Sequence, residues 1–230
     1  VATNADGLRS GTAEFVTAVR DGDVAKAKEL YPRARTYWER IEPVAESFGD
    51  LDPKIDGRED VVAEGVAFTG YHRLERDLWQ TGLKPDSAEV ADQLLADVNE
   101  IVDRSKTVQF SAVQLANGAK ELLDEVATHK VTGEEERYSH TDLWDFQANV
   151  EGAQAAITAL RPALLKRDPG LVTTLDERFS TLNAQLAAQR SGDGFKTYDQ
   201  LAPQQVQQLA KSVDALGEPL SKVSGVVAGQ

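Results

Sequence analysis

The sequence predicts an all-α fold, on three observations. Apolar residues recur at three- and four-residue spacing almost throughout the 230 residues, the period of a helix with one buried face. Glycine and proline, the residues that cost a helix most, number only 17 and 8. Ala and Leu are abundant and aromatics make up 7%, a composition that favours helix over strand.

The punctuation between apolar stretches then places the elements in order. A first helix runs from about Gly7 to Arg20 and stops at Asp21-Gly22-Asp23. Asp23 caps a second, which continues through Tyr31, Trp38 and Ile41 to Phe48. Pro32 and Pro43 are each expected to kink or restart that helix, since proline removes a backbone bond and crowds the preceding turn. Turn formers at 50–57 make a loop, and a third helix begins near Arg58, carries residues 70–79 and ends around Thr81-Gly82. Ser87 caps a long fourth helix, broken near Asp103 to Lys106, that reaches His129. A polar loop at 132–140 follows, and Thr141 caps a helix that ends between Pro162 and Asp168. Two further helices fit Leu171 to Arg190 and Pro203 to Val223, joined by Ser-Gly-Asp-Gly at 191–194. The C-terminal Ser-Gly-Val-Val-Ala-Gly-Gln is expected to fray. Seven or eight antiparallel helices of this length point to two packed four-helix bundles, about 1–130 and 131–230. No fixed short repeat is present, which excludes a solenoid.

Composition excludes several classes of function. The 25 basic and 38 acidic side chains leave a net charge of −13, which repels a phosphate backbone and argues against nucleic acid as a partner. With no Cys and no Met, any metal must be held by oxygen and imidazole. The first residue is Val1, so a preceding segment is expected to have been removed. No run of roughly 18 apolar residues occurs, so the chain is expected to be peripheral to a membrane at most. His-Glu-x-x-His, Gly-x-Ser-x-Gly and a glycine-rich phosphate loop are all missing.

Cation binding is the chemistry that remains best supported. His72 and Glu75, at i and i+3, share a helix face, so an imidazole nitrogen and a carboxylate can converge on one cation. Glu39 and Glu42 repeat the spacing on the preceding helix, with Glu46 one turn further, and Tyr37 and Trp38 beside them imply burial. Asp56 can reach the same place from the intervening loop, where Gly57 permits a tight backbone. Glu134, Glu135 and Glu136 form an acidic run in the mid-chain loop. Taken singly these signals are weak, since His-x-x-Glu arises by chance and a Glu-rich helix face is usually just solvated. Gathered in one cleft, such carboxylates repel and lose hydration, a strain relieved when a cation compensates them.

Four ordered blocks make the pattern specific: Tyr37-Trp38-Glu39-Arg40-Ile41-Glu42-Pro43, then residues 50–59 (DLDPKIDGRE), Gly70-Tyr71-His72-Arg73-Leu74-Glu75, and residues 138–149 (YSHTDLWDFQAN). Together they resemble the imelysin-like domain of the EfeO family and its short relatives, over nearly the whole chain. The resemblance implies an all-helical double bundle in the periplasm or on the outer face of the membrane, as a cell-surface lipoprotein in some members. It also implies delivery of iron to an EfeU-type permease, with an EfeB-type peroxidase as companion. The implied ligands are His72, Glu75, Glu39, Glu42 and Asp56. A glutamate of the 134–136 run is the sixth, Glu135 in first place and its neighbours open. The implied cargo is iron, as Fe2+ or Fe3+, with zinc as a substitute. Long members carry an N-terminal cupredoxin domain that nothing here resembles, so a short member or an excised domain is expected, with no copper or redox role attached. The other readings are an imelysin-type metallopeptidase, opposed by the missing zinc-peptidase motif, and a binder of acidic polysaccharide through metal, opposed by like charge.

Overall fold

The computed structural model describes residues 2–42, 49–62 and 66–229. Pro43 and Glu46 lie outside the described residues. The fold is all-α, apart from a two-residue hairpin in which Arg190–Ser191 pairs with Gly194–Phe195. Contacts divide the chain into two compact units: Val1–Val108 with Glu135–His140, and Gln109–Glu134 with Thr141–Gln230. The sequence placed a divide near residue 130.

In the first unit, α1 (Ala2–Arg20) ends where Gly22 adopts φ +70°, and Asp23 caps α2 (Val24–Glu39) by accepting from the Lys26 amide at 3.0 Å. α2 continues through Pro32, so of the two expected effects the restart does not occur. An interior proline costs about 3 kcal/mol. Tyr31 and Trp38 on the same helix are fully buried, each contributing about 2 kcal/mol of apolar burial, so tertiary packing outweighs the local defect. The loop at 50–57 contains a single helical turn, α3 (Asp52–Ile55).

The third predicted helix starts twelve residues later than expected, at Gly70 instead of Arg58, as α4 (Gly70–Arg76). Gly70 has φ +76°, and a Cβ there would collide with the carbonyl oxygens of Ile55 and Lys54. The chain at this point must therefore be glycine, and it turns into the helix only after passing the α3 backbone. From Asp77 to Thr81, α4 widens into a π turn. Asp77 is buried there and accepts from Arg73 Nε at 3.1 Å, Thr81 Oγ1 at 3.1 Å and Ser87 Oγ at 2.8 Å. Ser87 is thus engaged with Asp77 as the first residue of α5 (Ser87–Ser105), which follows Asp86, and does not cap that helix. An aromatic core forms where Phe15, Tyr31 and Tyr71 meet, with Phe15 and Tyr31 ring centroids 5.6 Å apart. Thr12 Oγ1 and the Tyr71 hydroxyl pair at 2.7 Å within it.

In the second unit, α6 (Ala112–Glu125) opens with a reciprocal cap between Ser111 and Gln114 and widens into a π turn over Val126–Lys130. It packs with α7 (Asp142–Arg167), α8 (Pro169–Ala187) and α9 (Pro203–Ala228) around Leu122, Phe146, Leu175, Phe179, Leu216 and neighbouring residues. The C-terminal segment is helical to Ala228. Val223 and Val227 are buried, Gly229 closes the helix in the left-handed conformation, and Arg167 Nη1 donates to the Val227 carbonyl at 2.7 Å.

Candidate metal centre

Three segments of the first unit supply the site. The second half of α2 points Arg35 and Glu39 inward, because both fall on the stripe that buries Tyr31, Ala34 and Trp38. The residue closing α3 is Asp56, its side chain 8% exposed, with Oδ2 accepting from Trp38 Nε1 at 2.9 Å. One turn into α4, His72 and Glu75 lie on the buried face. The segment 135–140 then brings Glu135 and Glu136, both buried.

The imidazole of His72 is 2% exposed. Its Nδ1 shares a hydrogen bond with Glu75 Oε2 at 3.1 Å. Its Nε2 has no hydrogen-bond partner, yet Asp56 Oδ1 and Glu135 Oε1 each lie 3.5 Å from it. That distance is longer than a hydrogen bond of any strength. A buried imidazole nitrogen faced by two carboxylate oxygens is a place where a metal cation can replace the ring proton, with Glu75 fixing the ring through the other nitrogen. Two sets of three donors lie within 4.8 Å of one another among the described residues: Asp56, His72 and Glu135, and His72, Glu75 and Glu136. Neither set includes Glu39, which faces Arg35, or Glu42, which is half-buried. Glu134 is exposed.

Glu75 is fully buried and its oxygens are heavily used. Oε1 accepts from the backbone amides of Tyr138 at 2.9 Å and Ser139 at 2.7 Å, which ties segment 135–140 to α4. Burial alone would raise its pKa, but the His72 interaction and these two amides more than offset that, so the carboxyl sits below its usual range. For Asp56, burial is the largest influence and, with repulsion from Glu39 and Glu135, holds its pKa up despite Arg35 and His72. For His72, burial and Arg35 push downward, and the carboxylates of Glu135, Glu75 and Asp56 overcome both, so its pKa lies well above the ordinary imidazole value.

Arg35 is the residue that the sequence reading missed. Its side chain is fully buried among the acids: it contacts Glu39 and Glu136 at 2.5 Å, bonds Asp56, lies 3.8 Å from Glu135, and packs over the Tyr71 ring. Arg58 adds a second guanidinium, 3.2 Å from Glu135 Oε2. The expectation that a bound cation must relieve the acids is therefore corrected, because guanidinium groups of the fold already offset part of their charge. A narrow cleft reaches His72, Glu75 and Glu135 past Arg58, Glu59, Arg137 and Tyr138. Its rim is tied together by Tyr138 donating to Glu59 at 2.6 Å and Arg137 to Asp60 at 2.7 Å.

A helical protein with a buried carboxylate and imidazole centre defines a class, and comparison with known proteins narrows it. The imelysin family model, which carries the peptidase M75 designation, matches residues 1–223. The chain belongs to the imelysin family and, within it, to the EfeM/EfeO group. It is 44% identical over 225 residues to an "Efem/EfeO family lipoprotein" of Staphylococcus haemolyticus, an alignment covering 96% of this chain and 78% of the relative. It is likewise 44% identical over 223 residues to "Iron uptake system component EfeO" of Escherichia coli K12, and of Shigella flexneri, covering 96% of this chain. The chain spans 60% of the length of those EfeO relatives.

Proposed function

We propose that this chain is the metal-binding part of an extracytoplasmic iron-uptake component. It takes iron as Fe2+ or Fe3+ through His72 and surrounding carboxylates and passes it to a membrane permease of the EfeU type, with an EfeB-type peroxidase as companion. The observation that carries the reading is the buried His72 Nε2, without a hydrogen-bond partner and faced at 3.5 Å by Asp56 and Glu135. Oxygen and imidazole donors suit iron and admit zinc. His72, Asp56 and Glu135 form the heart of the ligand set. Glu75 is the ligand or orienting group on the far side of the ring, and Glu39 and Glu42 are further acids of the set that the family resemblance implies. The names of the EfeO relatives supply the cargo, and the lipoprotein relative supports a place outside the cytoplasm. No helix among the described residues is long and apolar enough to cross a membrane.

The peptidase designation of the family raises a hydrolytic reading, which needs a general base beside a metal-bound water. Glu75 is poorly placed for that role, since both oxygens are committed to His72 and to two backbone amides. Calorimetric titration with anaerobic Fe2+ and with Zn2+ tests the proposal. One equivalent should bind to the native chain, and His72→Gln or Asp56→Asn should weaken binding at least tenfold, the scale of losing one ligand. Unchanged affinity in both variants refutes the carrier reading, and peptide cleavage by the iron- or zinc-loaded chain would replace it with the hydrolytic one.

A further inference from the structure

Resting on the carrier reading, a second question concerns what Arg35 does to the cargo. Its guanidinium bonds Asp56 Oδ1 and lies 3.8 Å from Glu135 Oε1. Those are the same two atoms that face His72 Nε2. The other oxygens of these acids are engaged elsewhere: Asp56 Oδ2 with Trp38, and Glu135 Oε2 with Arg58. Glu136 repeats the pattern, with Oε2 accepting from Ser139 and Oε1 2.5 Å from Arg35 Nε. Arg35 therefore stands against the oxygens that a cation beside His72 would use.

We propose that Arg35 is a resident counter-cation with which the cargo competes. It gathers Glu39, Asp56, Glu135 and Glu136 while no metal is bound, and on loading it yields Asp56 and Glu135. A guanidinium cannot shed its proton in a protein, so its charge leaves those oxygens only if the side chain moves. A cargo cation and a fixed positive charge that share two oxygens repel one another across a few ångströms of poorly screened interior. The consequence is lowered affinity for the cation, which keeps binding reversible in a protein that must release what it carries. The alternative role, a strut that merely aligns ligands, predicts the opposite sign.

Zinc titration of the native chain, Arg35→Gln and Arg35→Lys distinguishes the two. Competition predicts that Arg35→Gln binds zinc at least tenfold tighter than the native chain, and that Arg35→Lys, which keeps the charge, stays within about threefold of it. Equal or weaker binding by Arg35→Gln overturns the proposal. Should Arg35→Gln fold only when zinc is present, the cation has replaced the guanidinium and the proposal stands; failure to fold at saturating zinc overturns it. In the native chain, the Arg35 Nε–H resonance, assigned by its loss in Arg35→Lys, should shift and exchange faster as zinc is added, and an unmoved resonance at saturation overturns the proposal. A native chain that binds neither zinc nor iron removes the carrier reading and this inference together, whereas tight native binding with no gain in Arg35→Gln removes the inference alone.

Discussion

Replacing Glu75 by alanine tests how the site is held together. The carboxylate is fully buried and accepts three hydrogen bonds, from His72 Nδ1 and from the amides of Tyr138 and Ser139. Its removal leaves two backbone donors without their acceptor, at about 1–3 kcal/mol each when buried, and strips His72 of its orienting partner. The Tyr138 amide is only partly buried, so its share falls at the low end of that range. The whole loss is about 4 kcal/mol. Glu75→Gln keeps an oxygen for the two amides and gives up the charge, so its loss is about 1–2 kcal/mol. Urea unfolding followed by tryptophan fluorescence in a Trp144→Phe background reads the first unit alone, through Trp38 and Trp79. With a slope of about 2 kcal/mol per molar urea, the midpoint should fall by roughly 2 M for alanine and by less than about 1 M for glutamine. A shift below about 0.5 M for alanine, or equal shifts for the two variants, would show that these hydrogen bonds do not anchor segment 135–140.

Three further outcomes follow from the turn at Gly70 and the surroundings of His72. Gly70→Ala forces a side chain against the Ile55 and Lys54 carbonyls at φ +76°, so it should destabilise the first unit by about 2 kcal/mol or more and weaken metal binding at least tenfold; a variant with native urea midpoint and native affinity refutes the role given to this turn. The raised pKa of His72 keeps it protonated at pH 7 without metal, so binding should release close to one proton and strengthen with rising pH, by up to tenfold per unit. Calorimetry in two buffers of different ionisation enthalpy reads this directly, and a proton count of zero contradicts it. The same shift carries a sign for stability: the folded-state value lies above the unfolded value of about 6.5, so its stabilisation is complete below that pH and fades as pH rises through the folded value. Metal-free protein should therefore lose this contribution between neutral and alkaline pH in urea melts.

What the sequence disclosed was mostly local. Asp21-Gly22-Asp23 reads as a stop and a cap because both devices act within four residues, and His72 with Glu75 reads as a pair because i and i+3 share a face. The misplaced start of α4 has a different cause. Nothing near Arg58 announces that the backbone must first pass the α3 carbonyls at Gly70, a contact between residues about fifteen apart. Pro32 misled for a related reason, since its cost is local while the burial of Tyr31 and Trp38 that outweighs it is tertiary. Arg35 was legible in principle: it falls four residues after Tyr31 and four before Glu39, on the buried stripe of α2. A charged residue on such a stripe signals an internal partner, but which acids it meets depends on Asp56 and Glu136, far along the chain.

The arrangement also explains how a site made of mutually repelling acids keeps its shape. Gly70 brings the start of α4 close against the carbonyls of the turn that ends in Asp56, which sets Asp56 and His72 beside one another. Glu75, through the Tyr138 and Ser139 amides, fixes the segment bearing Glu135 and Glu136 to the same helix. Backbone contacts thus help set the positions of the donors, while their charge is offset by the guanidinium groups of Arg35 and Arg58. Under the proposed carrier role, a cation would enter by rearranging these guanidinium groups and not by unfolding a helix. In that proposal, donors held through backbone contacts and a counter-charge that moves aside favour reversible carriage over permanent storage.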